Sequence, residues 1–69
     1  MPLTMAETGR EIQIKRISGK DETKRILESL GFVIGGWITI VSKINGNLIV
    51  KIKDSRVAIS KEMANKIMI

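Results

Sequence analysis

The hydrophobic and polar positions of this chain follow two different periods, and the change between them falls near Gly31. Ile12 and Ile14 alternate with Glu11, Gln13 and Lys15, which is the period-two mark of a half-buried strand. Ile17 falls out of that phase, and a bulge or twist near Lys15-Arg16 would restore it. From about Lys20 the spacing becomes helical. Thr23, Ile26, Leu27 and Leu30 share one face, while Glu22, Lys24, Arg25 and Glu28 lie around the rest. Ser18 with Asp21 forms a capping pair at the start, or the helix begins as late as Asp21 itself. Asp21 and Glu22 complement the helix dipole in the first turn. Gly31 is placed as the left-handed residue just past the helix end, and Phe32 then folds back on an apolar residue of the last turns. Leu30 reads as a core position whose truncation to Ala costs about 2–5 kcal/mol.

Beyond Gly31 the period returns to two. Gly35-Gly36 marks a turn, and Trp37 to Ile44 is rich in β-branched residues and predicts a strand. Asn45-Gly46 is a strong hairpin signal, because both central positions of a type I′ turn need positive φ. In the return strand, Asn47 to Lys53, Leu48, Val50 and Ile52 share one face while Lys51 and Lys53 share the other. Asp54-Ser55 predicts a further tight turn and Arg56 to Ile59 a short strand. Ser60 caps a single helical turn over residues 61–65, and Lys66 to Ile69 closes the chain as a last strand. The predicted order is strand, helix, three strands, helical turn, strand. This is a mainly β domain with one α-helix over residues 1–69, read as a small SH3-like barrel whose closure removes exposed sheet edges.

Composition narrows the chemistry. A chain of 69 residues buries only about 60% of its unfolded surface, so its core is marginal. There is no Cys and no His, which excludes a disulfide framework and the usual transition-metal ligands. The beginning, Met1 to Glu7, has no basic segment followed by an apolar one, so it does not resemble a signal peptide. The longest uncharged run, Ser29 to Ser42, is too short to span a bilayer, which takes about 20 apolar residues. A soluble, cytoplasmic protein is expected. The net charge of +5 comes from scattered Lys and Arg, with no run of five basic residues, and reads as a solvated surface.

Candidate catalytic groups are few. None of Ser18, Ser29, Ser42, Ser55 or Ser60 has an imidazole base. The acids belong to a solvated helix face or to turns, so a carboxylate pair across a cleft is not expected. Gly31-x-x-x-Gly35-Gly36 is no phosphate loop, because it lacks the following Lys-Ser/Thr and leads from helix to strand. Lys15, Arg16, Lys51, Lys53 and Arg56 would form a basic stripe for nucleic acid, but the chain has only two aromatics for base stacking, Phe32 and Trp37. Nucleic acid is therefore the lesser reading. Protein binding is the greater one, with the turn from Gly31 to Trp37 as the candidate contact surface, Gly31, Phe32, Gly35 and Trp37 singled out within it, and Leu27 and Leu30 as its packing support. For Phe32 a core role is preferred. Trp37, in phase with Thr39 and Val41, stands between core and interface.

The string Leu27-x-x-Leu30-Gly31-Phe32-x-x-Gly35, followed by Ile38-x-Ile40, resembles the signature of the ferrous iron transport protein A (FeoA) family. Leu3, Gly9-x-x-Ile12-x-Ile14 and Val57-Ala58-Ile59-x-x-x-x-Ala64-x-x-Ile67-x-Ile69 extend that resemblance over nearly the whole chain. The resemblance implies an SH3-like barrel and a non-enzymatic cytosolic accessory of FeoB, the membrane ferrous iron transporter with a cytoplasmic GTPase domain. It implies ferrous iron as the transported ion, no required cofactor, and no catalytic or metal-ligating residue. A homo-oligomer is compatible with so small a domain, which often gains stability by oligomerisation. A similar domain at the C-terminus of iron-dependent repressors supplies the alternative of a metal-dependent regulatory domain. The chain departs from the family at Ile34, where Pro is frequent, at Asp54, where Gly is frequent, and around Asn47-Leu48, which lacks the common Gly-Asp-Pro run.

Overall fold

The computed structural model describes residues 1–69. A 3₁₀ turn, Leu3–Met5, precedes strands β1 (Glu11–Gln13) and β2 (Arg16–Ile17), helix α1 (Asp21–Ser29) and strands β3 (Trp37–Ile44), β4 (Asn47–Ile52) and β5 (Ser55–Ser60). The one-turn helix α2 (Lys61–Ala64) and strand β6 (Ile67–Met68) complete the chain. Four strands form an antiparallel sheet in the order β1-β3-β4-β5, and β2 pairs with β6 in a second small sheet.

The first predicted strand is therefore two. Ile14 still bonds toward β3, through Ile14 N–H to Gly36 O at 2.9 Å, whereas Lys15 N–H turns the other way to Met68 O at 2.8 Å. The phase break at Ile17 is thus a change of sheet rather than a bulge within one strand. The chain ends meet at the same place, where Ile69 N–H donates to Met1 O at 2.8 Å. The larger sheet keeps two free edges, β1 and β5, so its hydrogen-bonded ladder does not run round a closed ring.

The core follows the period-two pattern. Ile38, Ile40, Leu48, Val50, Ile52 and Ile59 of the large sheet are buried. Their partners across the ladder, Ile40 with Val50 and Leu48 with Ile59, share the inner face. Ile14, Ile17, Ile67, Leu3, Ala6, Leu27, Phe32 and Ala64 fill the space between the sheets and the helices. A bulge between Ile40 and Ser42 shifts the register of β3. Beyond it Lys43 stands opposite the buried Leu48, and its Nζ donates to the carbonyls of Thr4 at 3.1 Å and Ala6 at 2.8 Å, anchoring the 3₁₀ turn. The Asn45-Gly46 hairpin forms as expected, with φ of 45° and 81°. The following turn lies one residue earlier than expected. Ile52 pairs with Ser55, so Lys53-Asp54 makes the corner, with Lys53 at φ 53°. Ser60 caps α2 by accepting from Met63 N–H at 3.2 Å.

Helix α1 begins at the late end of the expected range. Its first cap position is Lys20, without a side-chain cap bond. Ser18, expected as a capping partner of Asp21, bonds instead to the carbonyl of Lys66 through its N–H at 2.7 Å and its hydroxyl at 3.2 Å. The helix face is narrower than its spacing predicts. Leu27 is fully buried, but Ile26 is 46% exposed and Leu30 38% exposed. Leu30 is thus not the core position that the helical spacing indicates. It is the C-cap residue, and it is the backbone of Gly31, not the Leu30 side chain, that approaches the sheet at Ile52.

Candidate functional site

The segment Leu30 to Trp37 is built from two consecutive turns locked by backbone bonds. The first ends α1. Gly31 N–H donates to Glu28 O at 3.0 Å and Phe32 N–H to Leu27 O at 2.9 Å, the paired bonds of a Schellman motif with Gly31 in the left-handed position at φ 106°. A Cβ on Gly31 would lie 3.2 Å from Ile52 Cγ2. The motif folds Phe32 inward, where its ring is completely buried.

The second turn spans residues 33–36. Gly36 N–H donates to Val33 O at 2.9 Å, and Gly35 has φ 85°. A positive φ at the third of four residues is the mark of a type II turn, whose second position favours Pro. Ile34 holds that second position, which accounts physically for a Pro being frequent there in the family the sequence resembles. The turn is fastened to the end of β1 and the following Ile14 by three hydrogen bonds. Gly35 N–H donates to Ile14 O at 2.7 Å, Ile14 N–H to Gly36 O at 2.9 Å, and Gln13 Nε2 to Gly35 O at 3.1 Å. Such a fixed turn presents its side chains with little ordering entropy left to lose on binding.

Those side chains are apolar and open to solvent. Ile34 is 66% exposed, Trp37 56% and Val33 48%. Trp37 opens β3 on the outer face, directly opposite Gln13, which settles its placement in favour of the surface. Of the six residues singled out in the sequence, Gly35 and Trp37 lie at this surface. Phe32 and Leu27 lie in the core, Gly31 packs its backbone on Ile52, and Leu30 is partly exposed. Phe32 therefore supports the turn and offers no contact face, and Leu30 is not its buried support. Val33 and Ile34 lie within the expected contact span, Gly31 to Trp37, without having been singled out. Their signal was two adjacent apolar residues between glycines, in a turn that no period buries.

A groove of about 580 Å³ runs beside β1 and reaches Trp37, with Met1, Met5, Ile12 and Ile69 among its apolar walls and Glu7, Arg10, Glu11 and Lys15 among its charged ones. The basic residues of the supposed stripe are divided. Lys51 stands opposite Arg56, but the same row continues through Thr39 to the acidic Glu11. No three carboxylates converge in a set able to hold a metal ion. No helix is long and apolar enough to cross a membrane.

The comparisons with known proteins agree with this architecture. The family model described as the FeoA domain matches residues 1–69. A protein of Methanocaldococcus jannaschii provisionally named Fe(2+) transport protein A is 34% identical over 68 residues, covering 99% of this chain and 83% of that protein. A crystal structure of an iron uptake regulatory protein, FeoA, superposes with a TM-score of 0.89 at 27% identity, covering 97% of this chain and 89% of the other. A zinc-complexed FeoA of Stenotrophomonas maltophilia, described as a prokaryotic SH3 domain protein, gives a TM-score of 0.83 at 23% identity, over 99% of this chain and 87% of that one. The fold is thus SH3-like, and with its full length matched by the family model this chain belongs to the FeoA domain family, the ferrous iron transport accessories.

Proposed function

We propose that this protein is a non-enzymatic, cytoplasmic accessory of ferrous iron uptake that binds the cytoplasmic portion of the membrane transporter FeoB through the turn formed by Val33, Ile34 and Trp37. The observation that carries this reading is the exposure of three apolar side chains, Val33 and Ile34 on a turn fastened to the end of β1 and Trp37 just after it. Exposed aromatic and aliphatic anchors on a preorganised support are the usual centre of a protein interface. Ferrous iron is the cargo of the transporter on this reading. The chain needs no cofactor of its own, and its donor set supports that view. With no His and no Cys, and with its carboxylates apart, it offers a transition metal only weak, separated oxygen ligands. The same shortage of bases and nucleophiles supports a role without catalysis.

The experiment is a pull-down and titration against the transporter's cytoplasmic portion, with and without guanine nucleotide. Burying Ile34 is worth about 1.5–3 kcal/mol, so Ile34→Asp is expected to weaken binding about tenfold or more. Binding no stronger than background in both nucleotide conditions would overturn the proposal.

A further inference from the structure

We propose that two copies of this protein pair through the free edges of β1, with Glu11 of each copy opposite Gln13 of the other, so that their four-stranded sheets become one. The inference is independent of the transporter reading and concerns the protein alone. Along an antiparallel strand, alternate residues direct their N–H and C=O to opposite sides. Ile14 bonds toward β3 and Lys15 toward β6. Glu11 and Gln13, in phase with Lys15, therefore direct both backbone groups away from β3, into the groove beside β1. Neither residue's backbone bonds to any other element. These are unpaired ladder groups at an open edge, the feature that recruits another strand.

Charge selects a second copy as the occupant. The chain as a whole carries +5, which opposes self-association over most of its surface. The edge of β5 has Arg56 within it, with Lys53 and Asp54 before it and Lys61 and Glu62 after it, so it keeps a net positive charge with no acid inside the strand to face Arg56 of a second copy. At the β1 groove the charges cancel, Glu7 and Glu11 against Arg10 and Lys15. A two-fold axis then brings unlike charges together, as an isologous contact requires. The register is also selected. Glu11 opposite Glu11 sets like charges side by side. Gln13 opposite Gln13 requires an edge position at Lys15 that Met68 already occupies at 2.8 Å. Glu11 opposite Gln13 puts no like charges directly opposite, and leaves Glu11 diagonal to Lys15 of the other copy on one side and to its Glu11 on the other. The half-buried Ile12 then meets its own symmetry mate at the axis. Each Glu11–Gln13 pair exchanges both backbone bonds.

Sedimentation equilibrium of the intact protein, from about 10 µM to about 1 mM at low salt, reads the association, which is weak for so short an interface. A monomer–dimer equilibrium is expected. Gln13→Pro removes one of the two free N–H groups that point away from β3, at a position where an edge strand tolerates Pro, and should weaken the dimer about tenfold or more. Glu11→Lys alone and Lys15→Glu alone should each weaken it about threefold, and the double exchange in one chain should restore it. The double exchange keeps the test open even if Gln13→Pro does not fold, which its thermal transition reveals. A protein that stays monomeric at about 1 mM overturns the proposal. So does a dimer indifferent to Glu11→Lys and Lys15→Glu.

Discussion

Leu27 in the last turn of α1 and Leu30 at its C-cap lie three positions apart, the first fully buried and the second 38% exposed. Their truncations should separate just as clearly. Leu27→Ala leaves a cavity among core residues and should cost about 2–5 kcal/mol, a large part of the stability of so small a domain. Leu30→Ala should cost less than about 1 kcal/mol. Urea unfolding of both variants checks the order, and equal losses would contradict the assigned packing. Spacing alone groups these residues, because a helical period shows which side chains share a face but not how wide a face the neighbouring sheet covers. Lys53 is the other residue whose state was not legible. Its φ of 53° belongs to a region that Asn tolerates better than Lys. Lys53→Asn is expected to raise stability by about 0.5–1 kcal/mol in the same unfolding measurement. A loss would mean that Lys53 makes a contact worth more than its backbone strain.

The elements that were legible are those with a local chemical cause. The helix stop at Gly31, the Asn45-Gly46 hairpin, the alternation of Leu48, Val50 and Ile52, and the Ser60 cap each rest on a residue type required at that place. What was not legible depends on partners distant in sequence. Nothing near Lys15 announces that its N–H will bond to Met68, so one alternating strand became two strands in two sheets. The bulge in β3 likewise turns Lys43 toward Thr4 and Ala6, a contact invisible to a strict period of two. The junction between α1 and the type II turn is the element most sensitive to a single change. Gly31→Val combines a left-handed φ of 106° with a Cβ 3.2 Å from Ile52, and should destabilise the fold by about 2 kcal/mol or more. Thermal unfolding measures this. A near-neutral result would show that the chain leaves α1 by another route.

At the scale of the whole molecule, a core of branched aliphatics and one Phe holds two small sheets together, and the turn of residues 33–36 is fastened to the sheet edge. The exposed turn was legible in part. Gly35 and Trp37 stood out by their glycine and aromatic signals, while Val33 and Ile34 lay unremarked in the same span until the turn placed them in solvent. The two proposals rest on surfaces that answer to different experiments, the apolar turn proposed to meet a transporter and the β1 edge proposed to meet a second copy. Self-association can fail without affecting transporter binding, because it is read on the protein alone. The most direct test of the central reading pairs two equivalent substitutions at exposed isoleucines. Ile34→Asp alters the turn, and Ile44→Asp alters the far end of β3, where the side chain is 51% exposed. Titration calorimetry of both variants against the cytoplasmic portion of the transporter should show Ile34→Asp binding about tenfold more weakly and Ile44→Asp binding as the unchanged protein does. Equal affinities for all three proteins would contradict the assignment of the turn as the contact surface.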